Sequence, residues 1–341
     1  MLEVLDSNNP SKKSNLFFNK FEDFLSKSTK AYLTTGFVSE QSLLFLDSNV
    51  KVLPEVKICI GMFKYTSISR GQLNALTKLD NSLRQNNKGK IYISEKAPFH
   101  GKVYTFQNDQ GFVGGIVGSS NMTCIDPNYK KQFEIDVAFD NKLKIKELVK
   151  IQKELISNNS IEFKNHVPRG KFPNQNTHLK DNFYVEYVGE GTYTEYYSLL
   201  NEKININLKC EPKSNLNVYH GKGRENSSNN YVIPRPWYEV EIIVPKKITD
   251  QNGFPYKRAF KVITDDGFMF DCNTSGTNSK NFRSKGDLQI LGYWIKGRLE
   301  DANIISIGDL IDEDHLKKYG RNNIELISTN SNDLFLLNFK P

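Results

Sequence analysis

The chain reads FHGKVYTF at residues 99–106, GFVGGIVGSSNMT at 111–123 and QFEIDV at 132–137. Val103, Tyr104 and Phe106 mark the first stretch as a strand, and His100 and Lys102, two residues apart, share one of its faces. Phe112 to Val117 is a second strand that runs into Gly118, Ser119, Ser120 and Asn121, a small-residue turn whose side chains and backbone NH groups suit a bound anion. A third strand, Phe133 to Phe139, opens with Glu134. An imidazole, an ammonium, a hydroxyl, a carboxamide and a carboxylate therefore lie at the ends of three consecutive strands. That is a set of groups able to attack a phosphodiester.

The flanking sequence supplies the rest of an α/β domain. Phe17 to Ser28 carries Phe17, Phe18, Phe21, Phe24 and Leu25 at helical spacing, and Lys142 to Ile156 carries a similar stripe. Gln41 to Leu46 and Ser69 to Gln85 also read as helices. Ala31 to Val38 and Lys90 to Ser94 read as strands, and Val56 to Phe63 is nearly continuous in its apolar residues, as in a parallel strand covered on both faces. This pattern ends near residue 165. His166 to Asn182 is polar, holds two prolines and lacks an apolar period, so it reads as a linker.

Composition narrows the class. A chain of 341 residues suggests two domains, each long enough to bury a core. No long apolar run and no signal-peptide pattern occurs, so a cytoplasmic protein without a membrane partner is expected. Cys59, Cys124, Cys210 and Cys272 are scattered, which argues against a zinc site and for reduced thiols. The net charge of +7 points to an acidic partner such as nucleic acid. It is uneven: 23 basic against 17 acidic residues up to position 165, and 23 against 22 beyond it.

HxK at 100–102, GSSN at 118–121 and Glu134 resemble the half-site of the phospholipase D superfamily. The usual Asp five residues after the lysine is replaced by Gln107, with Asp109 two residues late. That departure resembles the restriction endonuclease branch typified by BfiI and the NgoFVII group. The resemblance implies a phospholipase D-like sandwich around a mixed sheet over residues 1–165. It also implies a homodimer through that domain, because the pairing of HxK with a following GSxN occurs once and two half-sites must meet. In the implied mechanism His100 forms a covalent phosphohistidine, Lys102, Asn121 and Ser119 stabilise the phosphate oxygens, and Glu134 holds the imidazole tautomer. No metal and no other cofactor is needed. A companion methyltransferase or ATPase encoded separately is left open.

Beyond residue 183 short β-type runs alternate with turns: Phe183 to Val188, Ile204 to Leu208, Tyr238 to Val244, Ala259 to Ile263, Phe268 to Phe270, Ile290 to Ile295 and Leu334 to Phe339, with a helix at Ile307 to Tyr319. Two polar segments interrupt them, Leu216 to Pro236 and Asp271 to Asp287, rich in Asn, Ser, Gly, Lys and Arg. Those residue types bond to base edges and phosphates. The wording GKGRENSSNNYVIPRPWYEVEI, with KNFRS and LGYW, resembles the B-three-type DNA-recognition domain of the same enzymes, which implies a mainly β pseudobarrel over 183–341 whose two arms grip double-stranded DNA. Lys222, Arg224, Lys280, Asn281 and Arg283 are the candidate contacts. The whole chain thus reads as a type II restriction endonuclease. Two rivals remain: an Mg²⁺-dependent nuclease built on Asp47, Glu55 and Lys57, and a DNA-binding protein without catalysis.

Overall fold

The computed structural model describes residues 2–7, 16–63, 68–126, 133–166, 177–180, 182–198, 202–225 and 231–341. The chain divides into two compact units, residues 1–172 with 224–234, and residues 173–223 with 235–341.

In the first unit the elements run β1 (Leu2–Ser7), α1 (Leu16–Ser26), β2 (Lys30–Thr35), α2 (Glu40–Ser48), β3 (Glu55–Ile60), α3 (Arg70–Gln85), β4 (Gly89–Ser94), β5 (Lys102–Asn108), β6 (Gly111–Gly118), β7 (Glu134–Phe139), α4 (Lys142–Glu154) and β8 (Ser160–Glu162). Eight strands form one mixed sheet in the order β1-β7-β6-β5-β2-β3-β4-β8. β2, β3 and β4 are parallel, and the other pairs antiparallel. Helices cover both faces. The apolar stripe of α1 sets Phe17 and Phe21 against Tyr104 and Phe106 of β5 on one side. On the other, Ile145 and Val149 of α4 pack on Tyr32. Gln152 of α4 is buried, takes the Thr105 hydroxyl and donates to the Tyr32 and Val103 carbonyls and the Thr34 hydroxyl, which locks the helix across β2 and β5.

The second unit begins with α5 (Thr177–Lys180), β9 (Val185–Tyr187), α6 (Glu190–Tyr197) and β10 (Lys203–Asn207). The next hairpin, β11 (Arg224–Glu225) with β12 (Val232–Ile233), is counted with the first unit. Then come β13 (Ile242–Ile243), α7 (Lys246–Thr249), β14 (Ala259–Thr264), β15 (Phe268–Ser275), β16 (Asn281–Ser284), α8 (Ile290–Asp301), α9 (Glu313–Tyr319), β17 (Asn323–Ser328) and β18 (Leu334–Asn338). The sheet runs β10-β17-β18-β14-β15-β16-β13, with β9 on the first half of β15. It is a curled half-barrel, and its end strands β10 and β13 are not paired to each other among the described residues.

Several expectations need correction. Ile290 to Ile295 is not a strand but the start of α8. Its run lacks a helical period because every face is buried: Leu291, Trp294, Ile295 and Leu299 are covered, and Gly292 lies so close to the Tyr238 carbonyl that a Cβ would fall 1.7 Å from it. Tyr238 to Val244 forms a strand only at Ile242–Ile243, with Glu241 in a single bridge to Asn215, and the helix of 307–319 shrinks to α9, started by the Asp312 capping box. Strand β9 covers only the middle of 183–188, and Phe183 is exposed. In the linker, Thr177–Lys180 is helical, while residues 167–176 lie outside the description.

Candidate active site and nucleic-acid face

The sheet register puts the start of β5, the end of β6 and the start of β7 side by side, for Lys102 stands opposite Gly118 and Gly118 opposite Asp136. The end of β2 completes the edge. His100 precedes the strand instead of lying in it, because β5 begins at Lys102. The two still meet: Lys102 Nζ lies 3.1 Å from both His100 ring nitrogens and donates to the His100 carbonyl at 2.7 Å. His100 is exposed and Lys102 buried. Burial lowers the Lys102 pKa, against the raising effect of the Glu134 carboxylate.

Asn121 is fixed by acceptance. Its carboxamide oxygen takes the Phe37 N–H at 3.1 Å and the Thr35 hydroxyl at 3.3 Å, so its NH2 is the group left to donate. The Phe37 ring meets the His100 imidazole edge-on, with centroids 5.6 Å apart. Between them Gly36 leaves room, since a Cβ there would lie 3.2 Å from His100 and 3.3 Å from Asn121.

Asp136 shapes the turn. Fully buried, it accepts the Ser120 N–H at 3.0 Å and the Ser120 hydroxyl at 2.5 Å, and Gly118 permits this approach because a Cβ would lie 2.1 Å from its Oδ1. Three backbone NH groups at the expected anion cradle already have partners within the chain. Ser119 N–H goes to the Ile135 carbonyl, Ser120 N–H to Asp136, and Met122 N–H to the Thr35 hydroxyl.

Glu134 is also placed differently from expectation. Its carboxylate accepts the Ser119 hydroxyl and sits near Lys102, and within one chain no bond to His100 is formed among the described residues. The cause is the register: Glu134 lies at the β7 end beside the GSSN turn, whereas His100 lies beyond β5 toward Phe37. Asp136, Thr35 and Phe37 escaped the sequence reading. The alternation in EIDV gave one available signal, because burying Glu134 and Asp136 while exposing Ile135 inverts the usual strand pattern.

Of the metal-site residues, Glu55 and Lys57 line one pocket with Arg84 and Lys90, and Asp47 is not part of its lining. Asp47 pairs with Lys78 at 3.8 Å, Glu55 with Lys30 at 3.1 Å, and Lys57 lies over the Tyr32 ring. Among the described residues no group of three or more His, Cys, Asp or Glu side chains is placed to hold a metal ion.

Of the nucleic-acid candidates, Lys280, Asn281 and Arg283 come together around the start of β16, with Lys280 exposed. Lys222 is exposed on the segment after the turn Val218–His220. Arg224 belongs to β11 in the first unit, and residues 226–230 of the same polar segment lie outside the description. The rest of that hairpin is anchored on α2. Asn49 donates to the Val232 carbonyl and accepts its N–H, both at 2.8 Å, and the buried Tyr231 packs on Phe45. Among the described residues no helix is long and apolar enough to cross a membrane.

Two family profiles match the chain. Residues 14–167 match the N-terminal phospholipase D domain of the NgoFVII restriction endonuclease, and residues 192–330 match the NgoFVII C-terminal B3-like DNA-binding domain. A search of curated proteins finds none that matches. Among solved structures, Nuc from Salmonella typhimurium, a phospholipase D family member, aligns at 16% identity over 48% of this chain and 97% of its own, with a TM-score of 0.36. NucT from Helicobacter pylori aligns at 12% identity over 48% and 99%, also at 0.36. Phosphatidylserine synthase from Haemophilus influenzae aligns at 12% identity over 48% and 40%, at 0.34.

Proposed function

The chain belongs to the NgoFVII restriction endonuclease family, and on that premise we propose that it is a type II enzyme that cuts double-stranded DNA at a specific sequence through a covalent phosphohistidine. The observation that supports the chemistry most is the meeting of His100, Lys102 and Asn121 at one sheet edge, with an exposed imidazole beside a buried ammonium.

In this reading a ring nitrogen of His100 attacks the scissile phosphorus, a P–N bond forms, and the bond to the leaving oxygen breaks. His100 of the partner subunit protonates that oxygen and then takes a proton from the hydroxyl or water that displaces the imidazole. Lys102 and the Asn121 NH2 meet the charge growing on the non-bridging oxygens. Glu134 steadies Lys102 and orients Ser119, a role that replaces tautomer holding within its own chain. Fixed cations do the work a bound Mg²⁺ does elsewhere, so the reaction proceeds without metal.

The test is cleavage of plasmid DNA by the purified full chain in EDTA. Cutting in EDTA, loss of cutting in His100→Ala with cognate binding retained, and an acid-labile protein–DNA adduct trapped by denaturant are expected. Cutting that requires Mg²⁺ and survives His100→Ala overturns the mechanism, and a wild-type protein that binds DNA without cutting it overturns the enzyme reading.

A further inference from the structure

The outward face of β16 and of the second half of β15 is polar in a way that strand formation does not explain. Cys272, Thr274, Phe282 and Ser284 point into the core, whereas Asn273, Ser275, Asn281 and Arg283 point out. Asparagine and serine are poor strand formers, and two asparagines on one outward face work against the sheet unless they do something else.

Register turns that composition into geometry. Arg283 stands opposite Asn273 and Asn281 opposite Ser275. On the other side Ile242 pairs with Phe282 and Ile243 with Asn281, so the next step sets Glu241 beside Arg283. Glu241 Oε1 lies 3.3 Å from Arg283 Nη1, and Arg283 Nη2 lies 3.5 Å from the Ser275 hydroxyl. Glu241, just before β13, Arg283 and Asn273 therefore form one row, with Ile243, Asn281 and Ser275 in the next. The Asn281 carboxamide oxygen is covered and has no hydrogen-bond partner. Glu241 and Ser275 each engage one edge of the guanidinium, and of its five N–H groups enough remain for the two acceptors of a guanine.

Building on the DNA-recognition reading, we infer that this row sets sequence specificity, with Arg283 reading a guanine, Asn273 reading the adjoining base pair and Glu241 acting as a positioning residue that aims Arg283. The carboxylate has a second consequence. It lies where phosphates approach, so it opposes loose binding, and specificity is gained by weakening the wrong complexes.

The experiment selects bound duplexes from a random pool with the full chain at fixed salt, followed by competition between the selected and random DNA. Arg283→Ala and Asn273→Ala are expected to erase preference at one base pair each, at neighbouring positions, with a loss of about five- to 150-fold on selected DNA. Glu241→Gln is expected to lower the ratio of selected to random binding by about tenfold while random binding holds or rises, and Glu241→Asp to restore part of the ratio. Equal losses on selected and random DNA, or preferences unchanged at every position, overturn the inference. Asn273 is a half-buried surface group, so its variant tests the row even if Glu241→Gln fails to fold. A wild-type chain that selects no sequence overturns the DNA-recognition reading itself.

Discussion

Asp136 shows how one buried carboxylate can fix the turn that carries a candidate site residue. It spends its carboxylate on the Ser120 N–H and hydroxyl, and the turn it fixes delivers Asn121 to the Phe37 N–H. Asp136→Asn keeps the shape but turns an amide donor or a weaker acceptor toward those donors, which costs about 1.5–3 kcal/mol for a buried bond to a charged group. DNA cleavage is expected to fall by about tenfold or more, with binding unchanged in a gel-shift assay. Lys102 gives a pH prediction. Its pKa is lowered by burial, so it loses its proton below the ordinary lysine value of 10.5. Activity that needs the ammonium is therefore lost as pH rises, on an alkaline limb lying below that value. In Lys102→Arg, whatever activity remains should lack this limb, since arginine stays protonated. His100, Lys102, Ser119, Asn121 and Glu134 were legible because short spacings in adjacent strands survive folding as neighbours. Thr35 and Phe37 were not, because they reach the site from 65 residues or so upstream through a sheet order that no local pattern encodes.

Helices with one apolar face, such as α1 and α3, were readable from their period, and so were the apolar strands β3 and β6. What failed were elements whose burial has no period. α8 is covered on all sides, and α6, which follows Gly189 at a φ of 87°, buries only Tyr193. The burial of α8 has a measurable result. Lys296 is wholly buried, donates to the Trp237 carbonyl at 2.5 Å and lies over the indole, and desolvation lowers its pKa to about 7 despite Glu300 and Glu239. Between about 7 and 10.5 the unfolded chain holds the proton that the fold rejects, so stability rises with pH across that window by up to about 1.4 kcal/mol per unit. Denaturant melts should show that slope in the wild type and lose it in Lys296→Met. The β11–β12 hairpin makes the complementary case, because it is distant in sequence yet belongs to the first unit. Removing the Tyr231 ring from Phe45 should cost about 3–5 kcal/mol, as for other large buried aromatics. A fragment of residues 1–165 lacks this hairpin and should melt below the full chain for the same reason.

For the molecule as a whole, one half-site per chain leaves the proposed reaction short of a general acid, and the first unit has a surface able to supply a second copy. α4 covers the middle of the sheet but not its β1 edge. On the face it leaves open, Leu2 and Val4 lie in register with Phe139 and Val137, and Ile135 lies next to Glu134 and Asp136. Leu2, Val4, Ile135, Leu143 and Ile151 are all more than half exposed, a concentration of large apolar groups that a lone subunit leaves in water. Pairing two copies through this strip is expected to bring the His100 residues to one phosphate, so assembly and activity should rise and fall together. Sedimentation equilibrium should give a dimer, with cleavage per subunit falling once dilution dissociates it. Leu143→Glu and Ile135→Glu, neither of which touches the His100 side chain in the structure, should weaken both. Mixing supplies the sharper readout. If each cut needs His100 from both subunits, wild type equilibrated with His100→Ala should lose activity as the square of the wild-type fraction. A linear loss would mean that each chain cuts alone, and the dimer would then be dispensable to the chemistry.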